Sequence, residues 1–403
     1  MAVSFPLCDN KLGWTERGRA AELILSGRQL SMGVETTDLE RQFGDYMSVK
    51  NVLFVNSGSS ANQLAVSAAC HPLRTRRLTR GDKVLVPALC WSTTVAPLVF
   101  HGLIPVFVDV VPETLQMDVK HANTLASSDS AIRGLMLVHV MGNCPNMDAV
   151  MSLVTDHALV FIEDACEAMG NAYRGKKLGT FGDFGTFSSF YSHHMTSIEG
   201  GFLLARTEDD HWHCVMLREH GWIRRLPDGM KAAYASLNPD LDDRFLFADM
   251  GYNFRPTDVN AVIGKVQLTN LDDFRTHRKQ NYQSLTDRIQ CRPGLRTIIT
   301  TSEADVAYLA LVILYEHDNI KVFQRELESV GVETRPVISG NYARQPCLKT
   351  WGVAVEDPTA LIGAEYIHHH GLYIGLHGTA WTAQYCDALS TAILTAYARA
   401  TET

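Results

Sequence analysis

The residues with the greatest chemical capacity lie close together in residues 187–201, FSSFYSHHMTSIEGG. Apolar residues alternate in residues 182–187 and recur in residues 201–205, which predicts two short strands joined by a turn. The turn presents a hydroxyl together with two imidazoles and a carboxylate. These groups belong to Ser188, His193, His194 and Glu199. Turns of this kind often carry catalytic groups.

The stretch resembles a motif of the DegT/DnrJ/EryC1/StrS sugar aminotransferases, a fold-type I group of pyridoxal phosphate (PLP) enzymes. In that family the lysine that binds the cofactor covalently follows the serine by five positions, and two glycines close the motif. The fifth position after Ser188 is His193, and the closing pair is Gly200 and Gly201. No lysine lies between Lys177 and Lys231 to replace the missing amine.

A histidine at this position, followed by a second histidine, resembles the 3-dehydratases of the family. The resemblance implies a nucleotide-linked 4-keto-6-deoxy sugar as substrate, such as the GDP-4-keto-6-deoxymannose of colitose and O-antigen synthesis. It also implies that pyridoxamine phosphate (PMP) is loaded from glutamate, that His193 takes a proton from the C4′ carbon of the cofactor, and that the C3 hydroxyl leaves before hydrolysis releases ammonia and a 3-deoxy ketone. An imidazole with an unperturbed pKa of about 6.5 is a suitable neutral base.

Other interpretations of the same motif remain. Adjacent histidines can be a surface pair or metal ligands, although the surrounding motif favours catalysis. The chain could be a nucleotide-sugar 4-aminotransferase that has lost its lysine, or a catalytically inactive PLP-binding sensor. The combination of Asp164, Glu167 and His193 argues against the sensor, which needs no acid and base.

A second motif, residues 56–62 (NSGSSAN), follows the apolar run Val52–Val55 and precedes a segment with helical periodicity. A small-residue turn at a helix N-terminus offers backbone N–H groups and the positive end of the helix dipole to a phosphate. A plain Ser or Asn N-cap is the alternative. Because the motif resembles the cofactor-phosphate turn of the family, we assign the phosphate to Gly58 and Ser59, joined by Ser188.

Short apolar runs at residues 84–87, 105–109, 135–139 and 159–162 alternate with helical or polar segments. This pattern predicts a mostly parallel sheet with helices on both faces, and in such sheets ligands bind at the carboxyl ends of the strands. The family resemblance implies an α/β fold of the aspartate aminotransferase-like type I, a three-layer sandwich with a smaller C-terminal α/β domain. We expect the large PLP/PMP-binding domain at residues 1–272 and the small domain at residues 273–403.

Three residues that follow these runs are candidates for contact with the cofactor ring. Trp91 could stack on its face or could simply be buried. Asp164 matches the family residue whose carboxylate keeps the pyridine nitrogen protonated, which makes the ring an electron sink. A magnesium site is the alternative, but neither a Walker loop nor a second acidic cluster supports it. A glutamate at position 167 resembles the 3-dehydratases of the family that contain no iron–sulfur cluster. Glu167 is expected near the ring oxygen of the cofactor and near His193.

The substrate residues implied by the resemblance lie further along the chain. His220, Trp222 and Arg224 belong to an HGW-x-R segment that faces the sugar in the dehydratases, although a structural turn is an equal alternative. Arg335 begins a turn that resembles a substrate-facing turn. Residues 226–247 are rich in Pro, Gly and Asp and are predicted to form a long surface loop.

A GYNFRP segment at residues 251–256 resembles the family segment that crosses a dimer interface. In the family the asparagine of this segment, here Asn253, contacts the phosphate of the cofactor that is bound in the neighbouring subunit. The resemblance therefore implies a homodimer with shared active sites. The three histidines at residues 368–370 suggest a metal site, but consecutive helical residues point in different directions, so a solvated or interface role is expected.

Composition excludes several classes of protein. With 46% hydrophobic and 20% charged residues among 403, the chain is typical of a globular enzyme. A net charge of −8 and scattered basic residues argue against nucleic acid as a partner. No apolar run is long enough for a membrane span, and the N-terminus lacks a signal pattern, so a cytoplasmic location is expected. The nine cysteines are dispersed, which predicts no metal site, and none lies at residues 220–253, which predicts no iron–sulfur cluster.

Overall fold

The computed structural model of the protein describes residues 4–9, 12–289 and 292–402. The predicted large domain contains strands β1 Val52–Val55, β2 Lys83–Pro87, β3 Ile104–Val108, β4 Val110–Val111, β5 Gln116–Met117, β6 Ile132–Val138, β7 Val160–Asp164, β8 Ala172–Tyr173, β9 Lys176–Lys177, β10 Phe184–Ser188 and β11 Gly201–Ala205. Its helices are α1 Trp14–Leu25, α2 Val34–Met47, α3 Gly58–Ala69, α4 Ser92–Phe100, α5 Val119–Ser128, α6 Met147–Asp156, α7 Glu208–Arg218, α8 Asp228–Leu237 and α9 Asp258–Thr269.

Within the described residues, seven of these strands form one sheet in the order β1–β11–β10–β7–β6–β2–β3. Strands β10, β7, β6, β2 and β3 pair in parallel, whereas β11 is antiparallel to both β10 and β1. The sheet is therefore mixed and mostly parallel, as the alternating apolar runs predict. The antiparallel β10–β11 pair confirms that two short strands flank the His193 turn.

Neighbouring residues of the central strands pack into different layers. Leu85 and Phe161 contact the cluster that includes α2 and α6, whereas Val84 and Ile162 contact the cluster beneath α3 and α7. Because successive side chains of a strand point to opposite faces, strands covered by helices on both sides must be apolar throughout. The three-layer arrangement explains why these segments read as continuous apolar runs.

The predicted small domain contains strands β12 Leu295–Thr297, β13 Ala304–Asp305, β14 Ala310–Tyr315, β15 Thr334–Pro336 and β16 Gly371–Gly375. Its helices are α10 Leu271–Ile289, α11 Ile320–Ser329, α12 Pro346–Thr350, α13 Ile362–His370 and α14 Ala383–Thr401. Strands β12, β14, β16 and β15 form an antiparallel sheet in that order. The predicted boundary at residues 272 and 273 falls in the first turn of α10, so a continuous helix connects the two parts of the chain.

The prediction of an irregular loop over residues 226–247 is wrong for its first half, where α8 forms. The segment Met230–Leu237 contains good helix formers, including three alanines, and Pro227 precedes the first turn, where a missing N–H is harmless. No residue of α8 is buried. The flanking Pro, Gly and Asp residues therefore mark the ends of a surface helix.

The three consecutive histidines end α13 and point to different partners, as expected. His369 Nε2 lies 3.5 Å from Glu365 Oε2, and His370 Nδ1 donates to the Tyr315 carbonyl over 2.9 Å. His368 packs against Gly340. Across the described ranges, no three His, Cys, Asp or Glu side chains are grouped as metal ligands, and no helix has the length and apolar character to cross a bilayer.

Candidate active site

A cavity of about 380 Å³ opens where three adjacent parallel strands end. Val138, Asp164 and Ser188 are the last residues of β6, β7 and β10, and all three line it. The small domain contributes Leu309, Ile338 and Tyr373. The position is the one expected for a ligand site in an open α/β sheet.

The cavity brings together most of the residues selected from the sequence for the cofactor and for catalysis. These are Gly58, Ser59, Trp91, Asp164, Glu167, Ser188 and His193. The other candidates, His220, Trp222, Arg224, Asn253 and Arg335, do not line it. Asn62, Cys166 and Tyr373 line the cavity without having been selected.

Asp164 is a buried carboxylate held in one orientation at the end of β7. Its Oδ2 accepts from Asn62 Nδ2 over 2.8 Å and from Thr94 Oγ1 over 2.7 Å, and its Oδ1 accepts from the Cys166 amide over 3.2 Å. Thr186 Oγ1 in turn donates to Asn62 Oδ1. The carboxylate can accept a further hydrogen bond at Oδ1, so the arrangement suits a protonated ring nitrogen in the cavity.

The turn before α3 approaches the strands closely because two glycines lack side chains. A Cβ on Gly58 would lie 2.7 Å from Ser188 Cβ and 2.9 Å from Cys166 Sγ, and a Cβ on Gly201 would lie 2.6 Å from Gly58 N. Ser57 Oγ caps the helix by accepting from Ser60 N. The amides of Gly58 and Ser59 precede the first intrahelical donor and stand at the positive end of the helix, an arrangement that binds anions.

His193 and His194 are held in opposite tautomers by two backbone carbonyls. His193 Nδ1 lies 2.7 Å from the Cys166 oxygen, so a neutral ring carries its proton on Nδ1 and its lone pair on Nε2. His194 Nε2 lies 2.7 Å from the Ala307 oxygen, which places the proton on Nε2. His194 is fully buried, whereas His193 lines the cavity. Of the two rings, His193 is therefore the one placed to exchange protons with a bound ligand.

Glu167 titrates close to neutral pH. Burial raises the pKa of its carboxyl to about 7; the hydrogen bond from the Met141 amide opposes this rise, and the charge of Asp164 adds to it. Met141 N donates to Glu167 Oε2 over 2.7 Å. Carboxyls with pKa values raised to this extent in a cavity are typical of functional sites.

The HGW-x-R segment lies on the surface outside the cavity. The Trp222 ring stacks on Phe245 and Phe247, with centroid separations of 5.6 and 5.9 Å. The Arg224 guanidinium lies 5.1 Å above the Trp222 ring. In a single chain these residues form an aromatic surface patch.

Asn253 and Arg335 also lie outside the cavity lining. Asn253 is exposed, and its Oδ1 accepts from Arg255 Nε over 3.0 Å. Arg335 pairs across the small sheet with Tyr373, which lines the cavity, and its guanidinium forms an ion pair with Glu333 over 2.9 Å. Directly opposed residues of paired strands share a face, so Arg335 stands at the cavity rim.

The charges of the cavity lining are all negative. Asp164, Glu167 and Glu199 line it, and the described lining residues include neither lysine nor arginine. A lysine would be required at this position to hold a carbonyl cofactor covalently. The lining that one chain provides can hold a cofactor only by noncovalent contacts.

Comparison with known proteins agrees with this picture. The model of the DegT/DnrJ/EryC1/StrS aminotransferase family matches residues 14–384. A GDP-4-keto-6-deoxy-D-mannose 3-dehydratase of Escherichia coli O55:H7 is 32% identical over 93% of this chain and 96% of its own length.

Two solved structures of GDP-4-keto-6-deoxymannose 3-dehydratases are also similar. A variant with bound GDP-perosamine is 30% identical, with a TM-score of 0.88 over 97% of this chain and 100% of the other. Another, which holds a trapped adduct of PLP and glutamate, is 28% identical, with a TM-score of 0.86 over 97% and 100%. The predicted fold-type I architecture is confirmed by this similarity.

Proposed function

The chain belongs to the DegT/DnrJ/EryC1/StrS aminotransferase family, and from that premise we propose that it is a PLP/PMP-dependent 3-dehydratase. Its proposed reaction removes the C3 hydroxyl from a nucleotide-linked 4-keto-6-deoxy sugar, with GDP-4-keto-6-deoxymannose as substrate and glutamate as the donor that regenerates PMP. The single observation that carries the proposal is that the described cavity lining contains His193 and no lysine. The resemblance of the motif assigns His193 to the position of the family lysine.

The residues of the cavity fit the cofactor. The Asp164 carboxylate would face the ring nitrogen, the Trp91 side chain would offer a stacking surface, and the amides of Gly58 and Ser59 with the Ser188 hydroxyl would hold the phosphate. When bound, PMP supplies an amine that combines with the sugar ketone and a ring that stores an electron pair. The acceptor capacity of Asp164 Oδ1 is the structural feature that matches a protonated pyridine.

The chain supplies the proton transfers. His193 accepts a proton at Nε2, because its Nδ1–H is committed to the Cys166 carbonyl. Glu167 lines the same cavity and has a pKa raised to about 7 by burial, so it can both hold and release a proton near neutral pH. The negative field of Asp164 and Glu167 stabilises the imidazolium that forms when His193 holds the proton.

The proposed substrate and amino donor rest on the solved relatives. One of them holds GDP-perosamine and another holds an adduct of PLP and glutamate. At the rim of this cavity, Arg335 is a suitable cation for an anionic substrate group. We assign the sugar nucleotide also to His220, Trp222 and Arg224, whose aromatic patch presents stacking surfaces and a positive charge outside the cavity.

We propose that the active enzyme is a homodimer with shared sites. The cofactor phosphate and the nucleotide diphosphate are anions, yet the described cavity lining of one chain carries three carboxylates and neither lysine nor arginine. Asn253 is exposed and the neighbouring Arg255 is half-buried, so the Asn253 side chain is available to a second copy. Asn253 of one chain would bind the cofactor phosphate of the other.

The proposed chemistry requires no on-board electron carrier. The sequence contains no cysteine at residues 220–253, where the cluster-containing dehydratases bind iron and sulfur. We therefore propose an enzyme without an iron–sulfur cluster. Its proposed location is the cytoplasm, and the eight free thiols among the described residues are compatible with a reducing compartment.

A turnover assay tests the proposal. The purified protein is incubated with PLP, glutamate and GDP-4-keto-6-deoxymannose, and the products are identified by mass spectrometry. A 3-deoxy ketone with release of ammonia supports the 3-dehydratase. A 4-amino sugar would identify an aminotransferase instead, and the absence of any product despite bound PLP would identify a sensor.

Borohydride reduction tests the noncovalent site separately. Because His193 cannot form the bond that a lysine forms, borohydride treatment of the PLP-loaded protein followed by peptide mapping should find no cofactor on any lysine. A modified lysine in a peptide of the cavity would contradict the proposal. This experiment requires no sugar substrate and is independent of its identity.

A further inference from the structure

Asn171 is a buried asparagine whose amide joins two distant segments of backbone. Its Nδ2 donates to the Gly142 oxygen over 2.8 Å and to the Ala307 oxygen over 3.1 Å. Its Oδ1 accepts from the Ala307 amide over 3.0 Å. The side chain is fully buried, so these bonds are made without competition from water.

The turn that Asn171 holds has a costly conformation. Met141 and Gly142 are consecutive residues with left-handed backbone, with φ of 54° and 89°. Glycine adopts this conformation readily, whereas methionine does so only when its surroundings fix it. A Cβ on Gly142 would lie 2.7 Å from Asn171 Nδ2, 2.9 Å from the Glu167 oxygen and 3.1 Å from the Ala307 oxygen.

The strained residue is the one that contacts the cavity carboxyl. Met141 N donates to Glu167 Oε2, and the Met141 oxygen accepts from the Leu309 amide over 3.0 Å. Leu309 is itself a lining residue. The turn at residues 140–142 is therefore connected to the cavity through both backbone groups of Met141, and Asn171 is bonded to its last residue, Gly142.

We infer that Asn171 is a positioning residue for Glu167, because it clamps the turn at residues 140–142 in the conformation that directs the Met141 amide to the Glu167 carboxylate. The inference deepens the proposed function, and it rests on that function only for the part that Glu167 plays in the reaction. Asn171 lines no part of the cavity and acts through the turn.

The groups that face Glu167 explain why the Met141 amide matters for the ionisation of its carboxyl. Asp164 and Cys166 lie on the same turn, His193 on the neighbouring loop and Tyr373 on β16. Neither lysine nor arginine lines the cavity in the described chain. The Met141 amide lowers the pKa of Glu167, against burial and Asp164, which raise it. A looser turn should therefore raise the pH at which Glu167 ionises.

The test compares two buried asparagines whose Nδ2 atoms each donate to two backbone carbonyls and whose Oδ1 atoms each accept from a backbone amide. Asn171 Oδ1 accepts in addition from Arg275 Nε over 3.5 Å. In Asn171→Leu the two donors and one acceptor are lost while the size of the side chain is kept. The control is Asn281→Leu, because Asn281 Nδ2 donates to the His377 and Thr379 oxygens and its Oδ1 accepts from Trp381 N, with no connection to the turn at residues 140–142.

Glu167 is titrated in the ligand-free proteins by infrared difference spectroscopy, in which its carboxyl band is identified by its loss in Glu167→Gln. Since a hydrogen bond to a charged group is worth about one to two pKa units, the titration should move up by about one pH unit or more in Asn171→Leu. It should stay in place in Asn281→Leu. The pH profile of turnover is recorded for the same proteins.

A second pair of variants applies if Asn171→Leu does not fold. Gly142→Ala inserts a Cβ into the crowded turn, and its control Gly175→Ala changes a glycine with φ of 77° that has no atom within 4 Å. Gly142→Ala should shift the Glu167 titration upward, and Gly175→Ala should not. Unchanged titration in both Asn171→Leu and Gly142→Ala would overturn the inference.

The failure of the proposed function is distinguishable from the failure of this inference. If the carboxyl band shifts in Asn171→Leu while Glu167→Gln leaves the pH profile of turnover unchanged, the positioning role stands and the role of Glu167 in the reaction falls. If Glu167→Gln changes the pH profile while the band does not move in Asn171→Leu, the positioning role falls.

Discussion

The cavity and the segment at residues 218–255 both contain residues that the sequence predicts to be functional. The two regions differ in how firmly neighbouring groups hold these side chains. In the cavity, each catalytic candidate is fixed by neighbours: Asp164 by Asn62 and Thr94, and His193 by the Cys166 carbonyl. In the segment, Asn253 is exposed and Trp222 contacts aromatic side chains at the surface.

Charge separates the two regions as well. The cavity lining carries carboxylates and, within the described chain, neither lysine nor arginine, whereas the segment carries six lysine or arginine residues balanced by six carboxylates, with Arg224 over the Trp222 ring. Anionic ligands require both the fixed acid–base groups and positive charge. The difference suggests that one chain provides a preorganised catalytic half and that its exposed segment completes the site of a second copy.

The largest effect is expected in the preorganised half. In His193→Asn, asparagine keeps hydrogen-bonding capacity but has no basic nitrogen, so turnover should fall by about 10²- to 10⁴-fold. Cofactor binding, measured by absorbance titration, should remain close to that of the unchanged protein because His193 does not hold the phosphate. Exchange of the C4′ proton, followed by deuterium incorporation, should fall with turnover.

His194→Asn is the comparison for that variant. His194 is buried and donates to the Ala307 carbonyl, so this change should lower the melting temperature while C4′ proton exchange per folded molecule persists. Exchange lost in His194→Asn and retained in His193→Asn would place the base one residue later than proposed.

The next effect concerns the exposed half. Asn253→Ala removes one hydrogen bond to the charged phosphate, worth about 1.5–3 kcal/mol, so cofactor affinity should fall about ten- to a hundredfold. When this chain is mixed with His193→Asn, the heterodimer has one site with an intact His193 and an intact Asn253 from different chains. Activity should return on subunit exchange. If none returns, each site is built from a single chain.

A smaller effect is expected at the turn before α3, which belongs to the fixed half. In Gly58→Ala the new Cβ meets Ser188 Cβ at 2.7 Å and must displace the helix N-terminus. Overpacking costs about 1–3 kcal/mol, and part of this cost should appear as cofactor affinity lowered about five- to tenfold. Gly18→Ala in α1, which has no atom within 4 Å, is the control. Equal affinity in both variants would exclude a role for this turn in phosphate binding.

The sequence predicts the fixed half well because its signals are local. Apolar runs mark the buried strands, and polar residues directly after them mark the cavity, as for Asp164 and Ser188. The absence of the lysine is visible in the same way, because His193 is found by counting five positions from Ser188. These inferences need only strand ends and short spacings.

The supporting contacts could not be predicted, because they join distant parts of the chain. Thr94 and Asp164 are 70 residues apart, and Asn171 and Ala307 are 136 apart. Nothing near Asn171 in the sequence indicates that its amide will bind the turn at residues 140–142. The helix α8 was missed for a different reason, since the Pro, Gly and Asp residues that flank it outweighed the short run of helix formers.

The last prediction concerns the pH dependence of stability at Glu167, which changes no contact with the cofactor. The pKa of this carboxyl is about 7 in the folded chain against an ordinary value of 4.5. Between these values the folded chain binds more protons than the unfolded chain, so stability from this group is fully present below about 4.5 and is lost as pH rises through about 7.

Glu167→Gln removes the titration and keeps an oxygen for the Met141 amide. The free energy of unfolding is measured by urea denaturation of the ligand-free proteins. The difference between the variant and the unchanged protein should shift in favour of the variant as pH rises from about 4.5 to about 7 and should be constant above that range. A constant difference across the window would show that burial does not raise the pKa of Glu167. The fixed half of the site would then hold an ordinary carboxylate, and the sharing of proton transfer between Glu167 and His193 would have no basis.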